Sequence, residues 1–161
     1  MIKKNLLINS LLVSSIFLLD RLSKIYVINL SEKLSGYELF FTKYLNIRLI
    51  WNEGIAFGLF SFDEQTFYNF LTVLISIIIL LIIFMIIKNK GLKKYSLLMI
   101  LGGALGNIFD RIFYNAVPDF IDIHVGDFHW FIFNVADIFI TLGVIFMIIL
   151  ELTDNNKDQK V

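Results

Sequence analysis

NFLTVLISIIILLIIFMII, residues 69–87, is almost unbroken Ile, Leu, Phe and Val, and no charge occurs anywhere from 65 to 87. A helix needs about 20 mostly apolar residues to cross the hydrocarbon of a bilayer. This stretch meets the requirement outright, and so does 128–150, whose single charge is Asp137. Residues 5–19 and 95–109 are also uncharged. They reach spanning length only if each helix continues through a polar cluster, Asp20-Arg21-Leu22-Ser23-Lys24 in one and Asn107-Ile108-Phe109-Asp110-Arg111 in the other. The expected fold is an α-helical integral membrane protein with four transmembrane helices, near 6–28, 67–88, 95–114 and 130–150. A single domain is expected over 1–153, followed by a disordered cytoplasmic tail at 154–161.

Composition agrees. The 161 residues are 58% hydrophobic and 17% charged, with mean hydropathy +0.78. A soluble domain of this size could not hide so much apolar surface from water. Zero net charge argues against nucleic acid as a partner. The absence of cysteine removes disulfides, thiolate nucleophiles and cysteine-based zinc sites.

Basic residues in short loops orient a membrane protein. Lys3 and Lys4, then Lys88, Lys90, Lys93 and Lys94, then Lys157 and Lys160 fall on one side of a four-span chain, while 115–129 has no Lys or Arg. Both termini are therefore expected inside. The connection 29–66 is the outer loop. Within it Leu45, Ile47 and Leu49 alternate with Asn46 and Arg48, the pattern of a strand. Gly54 and Gly58 then mark a turn or a close approach of the backbone. A small β-like cradle on the outer surface is expected.

In lipid an ionisable side chain costs roughly 2.5–3.5 kcal/mol on insertion scales, so its presence calls for a reason. Asp20 and Lys24 share a helix face. Asn107, Asp110 and Arg111 form another, and Asn134, Asp137 and Thr141 a third. Three helices thus offer polar faces at one depth, which an inward pocket would collect. For Asp20/Lys24, Asp110/Arg111 and the two asparagines, interhelical charge pairing and hydrogen bonding is an equal reading. Asp137 has no basic residue within a turn, and Asp119 lies in a connection without cations. Two such carboxylates in one pocket suit the activation of water for peptide hydrolysis; simple interfacial solvation is the alternative. Asp122, His124, Asp127 and His129 invite a metal reading, but their spacing is a loose loop pattern without HExxH or a comparable helix-borne motif, and loop histidines beside polar neighbours are the better reading. Phe128, Trp130, Phe131 and Phe133 read as an interfacial aromatic belt, and Gly102, Gly103 and Gly106 as close helix contact.

Five blocks in order resemble the signal peptidase II family, the lipoprotein signal peptidases. They are Asp20-Arg21-Leu22-Ser23-Lys24, Asn52-Glu53-Gly54-Ile55-Ala56-Phe57-Gly58, Gly102-Gly103-Ala104-Leu105-Gly106-Asn107-Ile108-Phe109-Asp110-Arg111, Asp119-Phe120-Ile121-Asp122 and Phe133-Asn134-Val135-Ala136-Asp137. The resemblance implies an aspartic endopeptidase of the bacterial inner membrane. Such an enzyme removes the signal peptide from diacylglyceryl-modified prolipoproteins just before the lipidated cysteine, near the outer face. It implies Asp119 and Asp137 as the catalytic pair. It implies Asp20, Lys24, Asn52, Gly54, Asn107, Asp110, Arg111, Asn134 and Ala136 as residues that bind substrate or support the site. It also implies no metal or organic cofactor, membrane lipid as the surroundings, and chemistry for which a monomer suffices. Trp51, Ile55 and Pro118 depart from the family pattern, at positions that touch loop packing rather than the proposed catalytic groups.

Overall fold

The computed structural model describes the backbone of residues 2–34, 39–53 and 64–158, and the side chains of 5–34, 39–40, 42–53 and 68–154. Along the chain run α1 (Ile2–Lys33), β1 (Phe40–Phe41), β2 (Leu45–Asn52), α2 (Glu64–Lys88), α3 (Gly91–Tyr114), β3 (Val117–Val125), β4 (Phe128–Phe133) and α4 (Val135–Asp158).

Helix α3 is the axis of the bundle and packs against α1, α2 and α4. Its small residues explain why. A Cβ on Gly103 would lie 2.5 Å from the carbonyl oxygen of Ala136 on α4, and one on Gly102 would lie 2.9 Å from Ile16 on α1. Glycine at these places lets the backbones approach, as the sequence led one to expect. The apolar centre is Ile79, Ala104 and Ile108, with Ile75, Leu101, Leu105 and Ile140 against it. The opposite faces of the helices stay bare: Leu74, Ile77, Ile78, Leu81 and Phe84 on α2 and Ile145, Phe146, Ile148 and Ile149 on α4 are all exposed. So broad an apolar surface belongs in lipid. Among the described residues three helices are long and apolar enough to cross a membrane: Tyr68–Lys88, Gly91–Tyr114 and Val135–Asp154. α1, which carries Asp20, Arg21 and Lys24, is not among them.

At one end of the bundle lies an antiparallel sheet of order β1-β2-β3-β4. β2 is the strand read from the alternation at 45–49. Its pairing with β3 sets Ile50 opposite Asp119 and Asn52 opposite Val117, with an irregularity between Ile47 and Ile50.

Four boundaries differ from expectation. The connection 115–129 is not bare loop: 117–125 and 128–133 form a hairpin that turns at Gly126, whose φ is +59°. Glycine at the first of two turn residues is a hairpin signal. The fourth helix therefore starts at Val135 rather than 130, and the aromatic run 128–133 is strand. The outer connection is shorter than 29–66, because α1 continues to Lys33 and α2 begins at Glu64. Finally, α4 runs through Asp158, past the point where a disordered tail was expected; Lys93 of α3 pairs with Glu151 and Asp154 at 2.9 and 2.8 Å and tethers its last turns.

Candidate active site

Asn134 organises the site. It precedes α4 and caps it: its Oδ1 accepts from the backbone N–H of Asp137 at 3.1 Å, while Asp137 Oδ2 accepts from the backbone N–H of Asn134 at 3.1 Å. This is the reciprocal arrangement of a capping box, with Asp137 at the third helical position. Because the cap occupies Oδ1, the amide nitrogen of Asn134 faces outward, where it donates to Asp119 Oδ1 at 2.6 Å. One residue thus holds both aspartates.

Each carboxylate has a further amide donor. Asn52 Nδ2, at the end of β2, donates to Asp119 Oδ2 at 2.8 Å, and Asn107 Nδ2, on α3, donates to Asp137 Oδ1 at 2.8 Å. Asp119 reaches this place because β3 leaves α3 through Asn115, a left-handed C-cap with φ 54°. Asparagine tolerates that conformation better than most residues. Asp119 is only 4% exposed. Burial pushes its carboxyl up to about 6, against the lowering by the Asn52 and Asn134 amides, and the negative Asp137 adds to the rise.

Both aspartates line a cavity of about 570 Å³. Its other walls are Trp130, Phe131, Ile132 and Phe133 of β4, and Ile138, Thr141 and Leu142 running down α4. A second hollow, of about 490 Å³, shares Asn52, Asp119, Trp130, Phe131 and Ile132 and opens over Ile50, Trp51 and Glu53. The aromatic run expected as a belt is therefore also the wall of the site. Thr141 lies on the cavity face of α4, as its spacing from Asp137 suggested.

Behind the aspartates is a buried charge cluster. Lys24 Nζ donates to Asp20 Oδ2 at 2.9 Å, Asp110 Oδ2 at 2.7 Å and Asn107 Oδ1 at 2.9 Å. Lys24, Asp20 and Asp110 are all 0% exposed. Arg21 completes the cluster with an ion pair to Asp110, a role that its place in the sequence block does not reveal. Asp20 Oδ1 accepts from the backbone N–H of Ala136 at 3.0 Å. Ala136 itself is fully buried, facing Gly106, and a side chain on Gly106 would run into the Asp20 carboxylate. Of the residues singled out from sequence, Asp20, Lys24, Asn52, Asn107, Asp110, Asp119, Asn134, Ala136 and Asp137 thus form one connected assembly. Arg111 turns instead to α2, with its guanidinium 5.4 Å from the centre of the Tyr68 ring. Tyr68 Oη donates to the Arg111 carbonyl at 3.0 Å. Gly54 lies outside the described residues, as do Ile55 and Gly58.

The four residues weighed as metal ligands do not form a centre. His129 Nδ1 donates to Asp122 at 2.9 Å, Arg48 pairs with the same carboxylate, and His124 Nε2 lies 3.0 Å from Asn46 Oδ1. Among the described residues no cluster of His, Cys, Asp and Glu fits a metal ion.

Residues 12–153 match the family described as signal peptidase (SPase) II. The chain belongs to the signal peptidase II family. It is 51% identical over 154 residues to the lipoprotein signal peptidase of Pelagibacter ubique (strain HTCC1062), covering 96% of this chain and 93% of that one. It is 41% identical over 152 residues to that of Anaplasma phagocytophilum (strain HZ), covering 94% and 96%. Among solved structures, a bacterial membrane enzyme determined in meso at 1.9 Å superposes with TM-score 0.75 at 31% identity, over 91% of this chain and 93% of that one. Another, at 2.3 Å, superposes with TM-score 0.72 at 28% identity, over 92% and 90%. This signal peptidase II is accordingly a peptidase built on apolar membrane helices with a small sheet at one end.

Proposed function

We propose that this signal peptidase II cuts diacylglyceryl-modified prolipoproteins just before the lipidated cysteine, using Asp119 and Asp137 as an aspartic dyad. The observation that carries the proposal is the pair of carboxylates hung on Asn134, Asp119 buried and Asp137 half-buried, beside a cavity whose far wall is apolar. Asp119, pushed up by burial, is the member that holds the shared proton. Asp137 takes a proton from water as it attacks the scissile carbonyl. Asp119 donates a hydrogen bond to the developing oxyanion, and the proton that Asp137 took from water passes to the leaving amine, which returns the pair to its starting state. The amides of Asn52, Asn107 and Asn134 keep the two carboxyls from swinging away, which preserves the attack geometry.

All four helices span the membrane in this reading, with α1 included because its charges are neutralised against α3. The termini and the 88–91 turn face the cytoplasm, and the sheet and dyad lie at the outer face of the inner membrane. The substrate's signal segment enters from the bilayer along Ile138, Thr141 and Leu142. No cofactor takes part, and a single chain suffices.

Purified enzyme in lipid, given a diacylglyceryl prolipoprotein, tests this directly. Asp119→Asn and Asp137→Asn should each lower kcat/KM by about a thousandfold or more while the protein still inserts and folds. Parental turnover by either variant would refute the dyad.

A further inference from the structure

Lys24 is the one fully buried ammonium among the described residues, and the chemistry above does not use it. It lies on α1, and its side-chain hydrogen-bond route to the proposed dyad runs through Asn107; its partner Asp20 meets α4 at the backbone N–H of Ala136. We propose that Lys24 is a positioning residue that fixes which end of the Asn107 amide faces Asp137. The inference rests on the dyad reading.

An asparagine amide has one accepting end and one donating end of nearly equal size. Turned one way, Asn107 offers Asp137 a donor; turned the other way, it sets oxygen against oxygen. Shape alone does not choose between the two. An ammonium does, because it donates and never accepts. Lys24 has three hydrogens, and the three distances of 2.9, 2.7 and 2.9 Å assign them to Asp20, Asp110 and Asn107 Oδ1. The two carboxylates anchor the ammonium, and the third hydrogen obliges Asn107 to present its oxygen to α1. Nδ2 must then point to Asp137 Oδ1, 2.8 Å away. The same logic holds Asn134 toward Asp119, with the α4 cap in place of the ammonium. Each aspartate thus faces an asparagine whose orientation is locked from behind.

Lys24→Met keeps the length of the side chain and removes the donor. If the inference holds, kcat falls tenfold or more and KM moves less than twofold. Asn107→Leu, which deletes the amide outright, should lower kcat to the same range. The double variant Lys24→Met/Asn107→Leu should be no slower than Asn107→Leu alone, because Lys24 acts only through the amide. Multiplying effects, or folded Lys24→Met with parental kcat, would overturn the inference and leave a purely structural lysine. Should Lys24→Met fail to accumulate, Asn107→Asp decides. It keeps a partner for the ammonium but sets an acceptor against Asp137, so it should fold, lose kcat at pH 7 by tenfold or more, and recover part of it as the pH is lowered. A parental pH profile in Asn107→Asp would refute the inference equally. Inactive Asp137→Asn beside a fully active Lys24→Met variant would mean that the dyad stands and this inference fails. An active Asp137→Asn variant would mean that the dyad itself fails.

Discussion

Asp119 is costly where it stands. Its carboxyl is raised from 3.8 to about 6, chiefly by burial, and about 1.4 kcal/mol per unit makes that roughly 3 kcal/mol against the fold at neutral pH. The folded protein binds this proton more tightly than the unfolded chain does. Stability therefore declines as pH rises between about 4 and 6, and is level above that range. Asp119→Asn does not titrate. Its melting temperature relative to the parent should rise between pH 4.5 and pH 7.5; a gap that stays flat or narrows would contradict the assignment. With Asp119 as proton holder, kcat/KM should fall as pH rises through about 6, since that ratio reports the free enzyme. Asn134 carries two duties that a single substitution separates. Serine caps a helix about as well as asparagine but cannot reach Asp119. Asn134→Ser should melt within a few degrees of the parent and lose kcat tenfold or more, and an unchanged kcat would show that the clamp on Asp119 is idle.

Among the elements, legibility followed periodicity. The runs at 69–87 and 128–150 announced their helices because nothing but lipid suits them, and β2 announced itself by alternation. The β3–β4 hairpin went unread. Phe128-His129-Trp130-Phe131-Ile132-Phe133 does not alternate, because two residues, Trp130 and Phe131, stand opposite Ile123 where the register shifts. The same aromatics merged with the apolar helix beyond them and moved its expected start upstream. Asn134, read only as a polar face residue, was also the cap that begins α4. Pairwise contacts were less visible than the elements that carry them. The blocks named the residues of the site, but Lys24 bridging Asp20, Asp110 and Asn107 depends on how α1 and α3 pack. Local spacing carries no signal for that. Arg111 shows the reverse case: adjacent to Asp110 in sequence, it points to α2 instead.

At the scale of the molecule, the proposed four-span topology turns on α1. Its second half buries Asp20, Arg21 and Lys24 against α3 and α4, and the proposal rests on that packing. Buried ions in such a cluster are tolerated because each has partners. The chain contains no cysteine, so single introduced thiols report sidedness without background. Lys4→Cys and Lys90→Cys should react with an impermeant reagent only from the cytoplasmic side, and Lys43→Cys and Asp127→Cys only from the other. Labelling of positions 4 and 43 from the same side would show that α1 does not cross.

The capping box at Asn134 has a consequence for biosynthesis. Asp137 and the clamp on Asp119 both belong to the start of α4, which leaves the ribosome after α1, α2, α3 and the sheet. Until that helix winds, Asp119 lacks its 2.6 Å donor and Asp137 has no fixed direction. On the proposed dyad, a nascent copy in which α4 has not yet wound would carry no cutting power, because neither carboxylate would be held in place.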